Sequence, residues 1–320
     1  FTQKTAYDIG VRLVGSEMCI RDGYMSDMEL YRSFIFVPGN RENMLERAKS
    51  FEADVVVVDL EDSVHPGGKE NARELAKKWV PILHQEGQRV IVRVNSLDTG
   101  LTRPELEAVV SPELYGISLG KVESTWNMND LDRMLNAIEP SAGVESGSTK
   151  VVAWAETASA MVDARDIAKS SSRVIALAFG AEDFTNDMGI ERSDTGEEVQ
   201  VPRSLVPIAA KAANVATLDS PFVLFQDPDA LRADAMCARQ MGYTGKHAIH
   251  PSQLEIINEV FSPSVEEVAY ARRIMEALDE AEAAGRGSLA LDGRMVDVPV
   301  VKRAQNLLAF ADAIEAKKRI

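Results

Sequence analysis

A (β/α)8 barrel of the TIM type, followed by a C-terminal helical extension, is the fold class this sequence predicts, and three observations predict it. Eight short apolar runs, many of them β-branched, recur between residues 34 and 251. Stretches with helical spacing separate them. Nearly every run ends in charged or hydrogen-bonding residues. Continuous apolar strands alternating with amphipathic helices imply a parallel sheet covered by helices. Eight such units fit the ~250 residues typical of a barrel. An open doubly wound sheet would more often show a GxGxxG turn after its first strand, and VPGNREN is not one.

The elements follow in order. Residues 1–24 have no sustained period, and VGSEMCIRD resembles translated read-through of a sequencing adapter. They are expected to be a non-native or unstructured leader, with the natural start near Met25 or Met28. The barrel is expected over 31–262. Its first four strands are FIFVPG (34–39), VVVVDLED (55–62), VIVRVN (90–95) and GISLGKVE (116–123). The next four are VVAWAET (151–157), VIALAFGAED (174–183), PFVLF (221–225) and GKHAIHP (245–251). ENMLERAKSF, ENARELAKKWVPILHQ, LDRMLNAI and DALRADAMCARQM read as helices between them. The extension, 263–320, reads as a long helix closed by glycine, a short extended piece around LDGRMVDV, and a final helix.

Composition narrows the function. The 320 residues carry 50 acidic and 35 basic side chains, a net charge of −15, which leaves no basic stripe for nucleic acid. An anionic substrate stays open, because a local basic site can sit in an acidic protein. Cys19 and Cys237 are the only cysteines, so neither a disulfide framework nor a thiolate metal site is expected. No apolar run approaches the ~20 residues of a membrane helix, and the N-terminus lacks a signal peptide's apolar middle. A cytoplasmic protein without membrane or nucleic-acid partners is expected.

Active sites of barrels are built at the carboxyl ends of the strands. Here those ends carry Asp59, Glu61 and Asp62, then Arg93 and Asn95, then Lys121 and Glu123. Glu156 closes the fifth strand, Glu182 and Asp183 the sixth, and Lys246, His247 and His250 the eighth. Two carboxylates converging from neighbouring strands repel unless a cation sits between them. Oxygen ligands alone suit Mg²⁺, which takes one or two carboxylates and keeps places for water and substrate oxygens. Glu156 and Asp183 are therefore the expected metal ligands; the alternative is that each merely favours the first turn of the next helix. Arg93 is either a structural partner of Asp59 or Glu61, or a bidentate clamp for a substrate carboxylate or enolate oxygen. Asp59, Glu61 and Asp62 are expected to stand behind, orienting Arg93 and metal-bound water. His250-Pro251 reads as a rigid turn, and Asp297 by itself as a turn or cap.

The segments RSFIFVPGN, DLEDSV, VRVN, KVES, ET (156–157), FGAEDF, GKHAIHPSQ and FSPSVEEVAYAR resemble, in order, those of the citrate lyase β-subunit-like family. This is the CoA-thioester lyase branch of the HpcH/HpaI aldolase superfamily, which includes malyl-CoA and citramalyl-CoA lyases. The resemblance spans 31–320. It implies a (β/α)8 barrel, dependence on Mg²⁺ (Mn²⁺ as the alternative), a CoA-linked 3-hydroxyacyl substrate and a homotrimer or hexamer. By position, Glu156 and Asp183 match the family's metal ligands, with Glu156 also beside substrate, and Arg93 matches its substrate-oxygen clamp. Asp297 matches an acid/base that malyl-CoA-type lyases present from a neighbouring subunit. Citrate lyase β subunits acting on a carrier-protein thioester often lack that C-terminal segment, so the stand-alone CoA-ester type is expected. CoA should lie across the strand ends, with Arg32, Pro38, Lys69 and the segment 246–253 as candidate contacts. SLGKVES in place of LPKVES and AWAET in place of an aliphatic run bear on acyl-group specificity rather than on chemistry. The expected reaction is reversible cleavage of malyl-, β-methylmalyl- or citramalyl-CoA to an acyl-CoA and glyoxylate or pyruvate. The alternatives are a malyl-CoA thioesterase or malate synthase-like activity, a citrate lyase β subunit on citryl carrier protein, and a non-catalytic assembly subunit.

Overall fold

Eight parallel strands pair in chain order and close on themselves: β1 (Ser33–Pro38), β2 (Val55–Asp59), β3 (Val90–Val94), β4 (Gly116–Leu119), β5 (Lys150–Ala155), β6 (Val174–Phe179), β7 (Ala216–Asp219) and β8 (Gly245–Ala248). Pairing of β1 with β8 completes the barrel. This is a computed structural model, and it describes residues 28–193, 195–283 and 289–317. The leader expected over 1–24 lies outside the described residues.

Alternation along each strand builds two cores, because successive side chains of a strand point to opposite faces. Ile35, Val37, Val56, Val58, Val92, Ile117, Ala153 and Leu177 face outward and pack under the helices. Phe34, Val55, Val57, Ile91, Val152, Trp154, Ala176, Ala178 and Leu218 face inward and fill the barrel. At the amino ends of the strands Arg89 lies 4.8 Å over the ring of Tyr115, whose hydroxyl meets that of Tyr31.

The helices are α1 (Glu42–Ala48), α2 (Lys69–Gln85), α3 (Thr102–Val109), α4 (Thr125–Ile138) and α5 (Ala158–Lys169), each following a strand. Two helices, α6 (Ala181–Met188) and α7 (Gln200–Ala213), follow β6; α8 (Pro228–Met241) and α9 (Leu254–Val260) follow β7 and β8. Local chemistry sets their starts. Ser124 and Asn127 form a reciprocal cap on α4, Thr157 accepts from the Ala160 amide on α5, and Asp227 accepts from Ala230 before a proline on α8.

The seventh strand is not PFVLF. Residues 221–225 form a loop in which Val223, Leu224 and Phe225 are exposed, and the strand is the shorter, more polar ATLD before it. Its Asp219 is fully buried, held by Arg203 of α7 at 2.9 and 2.6 Å and by Lys246 of β8 at 2.5 Å. Lys246 and Arg203 also reach Asp234 of α8, at 2.6 and 2.8 Å.

Contacts divide the chain into a unit of Tyr31–Phe261 and a second unit that includes Ser262–Ile320. Within the second, α10 (Val265–Ala283) and α11 (Val298–Lys317) pack around Ala271, Ile274, Val296 and Ala304. Between them β9 (Leu289–Leu291) and β10 (Arg294–Val296) form a hairpin. Its two-residue turn is Asp292-Gly293, both with positive φ, the sequence such a turn favours.

Candidate active site

The inward parity that fills the barrel with apolar side chains changes character in its last layer. Two residues beyond Val57 comes Asp59, two beyond Ile91 comes Arg93, and two beyond Trp154 comes Glu156. Beneath this charged layer lies an aromatic floor. The His247 ring stacks on Phe36 at 5.1 Å and meets Trp154 at 4.5 Å. Trp154 donates its indole N–H to Ser118 Oγ at 2.8 Å. Burial pushes His247 down to about 3, and its Nδ1 lies 3.2 Å from the Asp219 carbonyl, so the ring is neutral and donates there. This floor was not legible as a unit: a two-residue step back from Glu156 points to Trp154, but no charged strand end marks Phe36 or His247 in the same way.

Arg93 spans the floor, its guanidinium 4.6 Å above Phe36. Nε and Nη2 donate to the two oxygens of Asp59 at 2.7 Å each, Nη1 donates to Asp62 at 3.0 Å, and Glu61 lies 3.3 Å from Nη1. Burial opposes charge on Asp59, but Arg93 overrides it and holds the carboxyl below the usual range. Arg93 in turn is raised, because Asp59, Glu61 and Asp62 outweigh its burial. The bidentate substrate clamp is corrected by this geometry: the fork grips Asp59, and Nη1 is the corner that faces the other acids.

Glu156 is 4% exposed. Its Oε1 accepts from the Lys121 amide at 2.6 Å, and its Oε2 lies only 2.3 Å from where a Cβ on Gly180 would be. A Cβ on Gly120 would approach Glu156 Oε1 to 3.0 Å and Glu61 Oε1 to 3.1 Å. Glycine at 120 and 180 therefore clears the space these carboxylates occupy. Asp183 stands in the first turn of α6, near enough that its charge, after burial, helps push Glu156 up to about 8. Asp183 itself is raised by burial and then by Asp62. Glu61 is pushed up to about 7 by burial, with Asp62 adding to the rise and Arg93 and Lys121 opposing it.

Raised carboxylates crowded together are a site short of positive charge. Among the described residues no three His, Cys, Asp or Glu side chains form a ready metal cage. Glu156, in the space left by Gly120 and Gly180, and Asp183, close enough to act on it electrostatically, offer two carboxylates, a donor set that fits Mg²⁺, which keeps its remaining positions for water and substrate.

Other expected contacts fall elsewhere. Arg32 precedes β1 at the amino ends of the strands, buried, with Nε and Nη2 on Asp54 at 2.9 and 2.8 Å. It faces away from the strand ends where CoA was expected. Lys69 gives all three ammonium donors to Leu60 O, Glu61 O and Asn95 Oδ1, at 2.8, 2.7 and 2.8 Å. It ties down the loop carrying Glu61 and has no donor left for a phosphate. Lys246 is likewise spent on Asp219 and Asp234. His250 caps the turn that follows it, accepting from Ser252 at 3.2 Å, and stacks on Phe225 at 5.1 Å. The amides opening α5 and α6 already have acceptors: Ala158 on Asp187 at 2.7 Å and Ala181 on Ser220 at 3.0 Å. Asp297 is exposed in the second unit and caps α11, accepting from Val300 at 3.2 Å.

The chain is similar to several known proteins. A citrate lyase subunit beta from Leuconostoc mesenteroides is 35% identical over 289 residues, 90% of this chain and 96% of the relative. A (3S)-malyl-CoA thioesterase from Cereibacter sphaeroides is 34% identical over 89% of this chain and 96% of its own. Among solved structures, CitE from Mycobacterium tuberculosis in complex with magnesium, acetoacetate and coenzyme A is 28% identical, with a TM-score of 0.70 over 88% of this chain and 97% of that one. A citrate lyase from Burkholderia xenovorans, 22% identical with a TM-score of 0.78 over 92% of this chain and 94% of its own, shares the barrel fold. A match over 289 residues exceeds the 261 that precede Ser262, so the Leuconostoc subunit resembles this chain into its second unit. Residues 32–251 match the HpcH/HpaI aldolase/citrate lyase family model, and the chain belongs to that family.

Proposed function

We propose that the protein is a Mg²⁺-dependent carbon–carbon lyase that reversibly cleaves a 3-hydroxyacyl-CoA of the malyl, β-methylmalyl or citramalyl type into an acyl-CoA and a 2-oxo acid. The observation that carries this reading is the pair Glu156 and Asp183, both with raised pKa and Asp183 acting on Glu156, with Arg93 acting on both and lying over the ring of Phe36. Glu156 and Asp183 would hold the cation, which when bound supplies positive charge for the substrate's carboxylate and hydroxyl oxygens.

The chain's own residues account for the rest. Glu61, buried and raised to about 7, is suited to accept the 3-hydroxyl proton. As that proton leaves, the carbinol oxygen becomes the carbonyl of the 2-oxo acid, the C–C bond breaks, and its electron pair passes to the thioester enolate. Arg93, held by Asp59, offers Nη1 to oxyanion charge; losing such a donor costs on the order of 10²–10³ in rate. Asp297 of a neighbouring copy in a trimer or hexamer would protonate the enolate carbon, and in the condensing direction remove that proton. The floor of Phe36, Trp154 and His247 turns ring surface toward the reacting carbons and contributes no free charge.

The relative named (3S)-malyl-CoA thioesterase supports a second reading, in which the same site releases free CoA. The test incubates purified protein and Mg²⁺ with malyl-, methylmalyl- and citramalyl-CoA and follows keto acid, acyl-CoA and free CoA together. Keto acid appearing with acyl-CoA supports the lyase. Free CoA without keto acid moves the assignment to the thioesterase. No turnover of any free CoA ester, with turnover of a carrier-protein thioester, moves it to the citrate lyase type.

A further inference from the structure

Among the described residues only Lys121, Asn214 and Asp292 adopt positive φ without being glycine, at 53°, 63° and 51°. Asn214 ends a helix and Asp292 turns a hairpin, places where short polar side chains tolerate that conformation. Lysine has no such ease, and a strained backbone persists only where its surroundings demand it. At Lys121 the conformation turns the amide toward Glu156 Oε1 at 2.6 Å. The preceding Gly120 lies where any Cβ would meet Glu156 and Glu61. The dipeptide is thus a backbone cradle between two buried carboxylates. Its ammonium is 3.8 Å from Glu61 Oε1, and Asp183, Asp62 and Glu156 also act on it electrostatically. Arg93 also acts on Glu156 and Asp183, but its guanidinium is pinned by hydrogen bonds to Asp59 and Asp62, whereas Lys121 reaches the same acids from a half-exposed stem.

We infer that Lys121 is a positioning residue with two separable parts: a left-handed backbone that fixes Glu156, and an ammonium that is the displaceable counter-charge of the Glu61–Asp62–Glu156–Asp183 cluster, giving way when a divalent cation binds while Arg93 stays fixed on Asp59. The second part rests on the metal reading of Glu156 and Asp183 given above. The side chain, 42% exposed on a flexible four-carbon stem, has room to withdraw. Without the ammonium the empty cluster keeps only Arg93 as counter-charge, while an arriving cation meets one like charge fewer.

Four variants separate the parts. In chelator, Lys121→Met is expected to melt about 2 °C below wild type and Lys121→Arg with wild type. By calorimetric titration, Lys121→Met should bind Mg²⁺ on the order of ten times more tightly than wild type, with Lys121→Arg unchanged. Lys121→Ala should melt about 2–4 °C below Lys121→Gly, since both lack the ammonium and only glycine relaxes the backbone. A Lys121→Met variant with wild-type melting temperature and wild-type Mg²⁺ affinity overturns the counter-charge. Lys121→Ala melting no lower than Lys121→Gly overturns the cradle. Wild type that binds no Mg²⁺ overturns the metal reading and with it the displacement, while the chelator measurements still decide the cradle and the counter-charge.

Discussion

Glu156 concentrates the chemistry of the site in one side chain. Burial first, and then the charge of Asp183, push its carboxyl up to about 8; burial pushes Glu61 to about 7. In the unfolded chain both would titrate near 4.5. Between that value and the folded ones the native state holds more protons, so native stability falls as pH rises. In the metal-free protein the contribution of these two groups is therefore complete below about pH 4.5 and is lost progressively as pH rises from there through 7 to 8. Saturating Mg²⁺ should flatten the decline, because the cation favours the charged carboxylates. Thermal melts from pH 5 to 9, with chelator and with Mg²⁺, check this; parallel curves would refute it. Glu156→Gln, which keeps shape without charge, should raise the chelator melting temperature at pH 8 by roughly 2–4 °C and remove Mg²⁺ binding. The places of Arg93 and Glu156 at the ends of β3 and β5 were legible in the sequence, since an isolated charge ending an apolar strand is expensive unless used. Asp183, read as the end of the sixth strand, stands instead in the first turn of α6. The clearance at Gly120 and the backbone turn at Lys121 were not legible, because a glycine's clearance and a positive φ exist only once the chain is folded around a neighbour.

At the scale of elements, β6 and α6 meet at Gly180, whose missing Cβ is occupied by Glu156 Oε2. Gly180→Ala inserts a methyl that Glu156 cannot avoid without leaving the Lys121 amide. Activity is expected to fall on the order of 10²-fold, in keeping with loss of a positioned group, while far-UV circular dichroism stays that of a folded barrel. Retention of more than half the wild-type kcat/KM would show that the carboxylate has another productive position. Most strands were legible because long β-branched runs admit few other structures. The seventh was not, for a physical reason. Its ATLD carries little apolar surface and ends in a carboxylate, and the two cations that make this tolerable come from Arg203 and Lys246, distant in sequence. The more apolar PFVLF next to it spends its side chains on an exposed loop. Lys69 and Lys246 misled in the same way: a lysine at a strand end reads as a free cation until its acceptors are seen.

At the scale of the molecule, the barrel unit holds Glu156, Asp183 and Arg93, and the second unit holds Asp297. If Asp297 serves a neighbouring copy, inactive Asp297→Asn and inactive Glu156→Gln chains, unfolded together and reassembled, should regain activity, because some sites then receive intact residues from both. Mixtures that stay as inactive as either variant would assign Asp297 to its own chain or to no catalytic part.

The barrel's closure is uneven around its circumference. Strands β1 and β2 share five residue pairs in register, whereas β7 and β8 share two, Leu218 with Gly245 and Asp219 with Lys246. Where the backbone ladder is shortest, a clasp of opposite charges from two strands and two helices bridges the gap. Burial works against charge on Asp234, yet Lys246 and Arg203 hold its carboxyl below the usual range, so its contribution is complete above about pH 4 and fades as acid protonates it. Acidification should thus unzip the cylinder along one line, with amide exchange rising first at residues 216–219 and 245–248 while the β1–β2 amides remain protected.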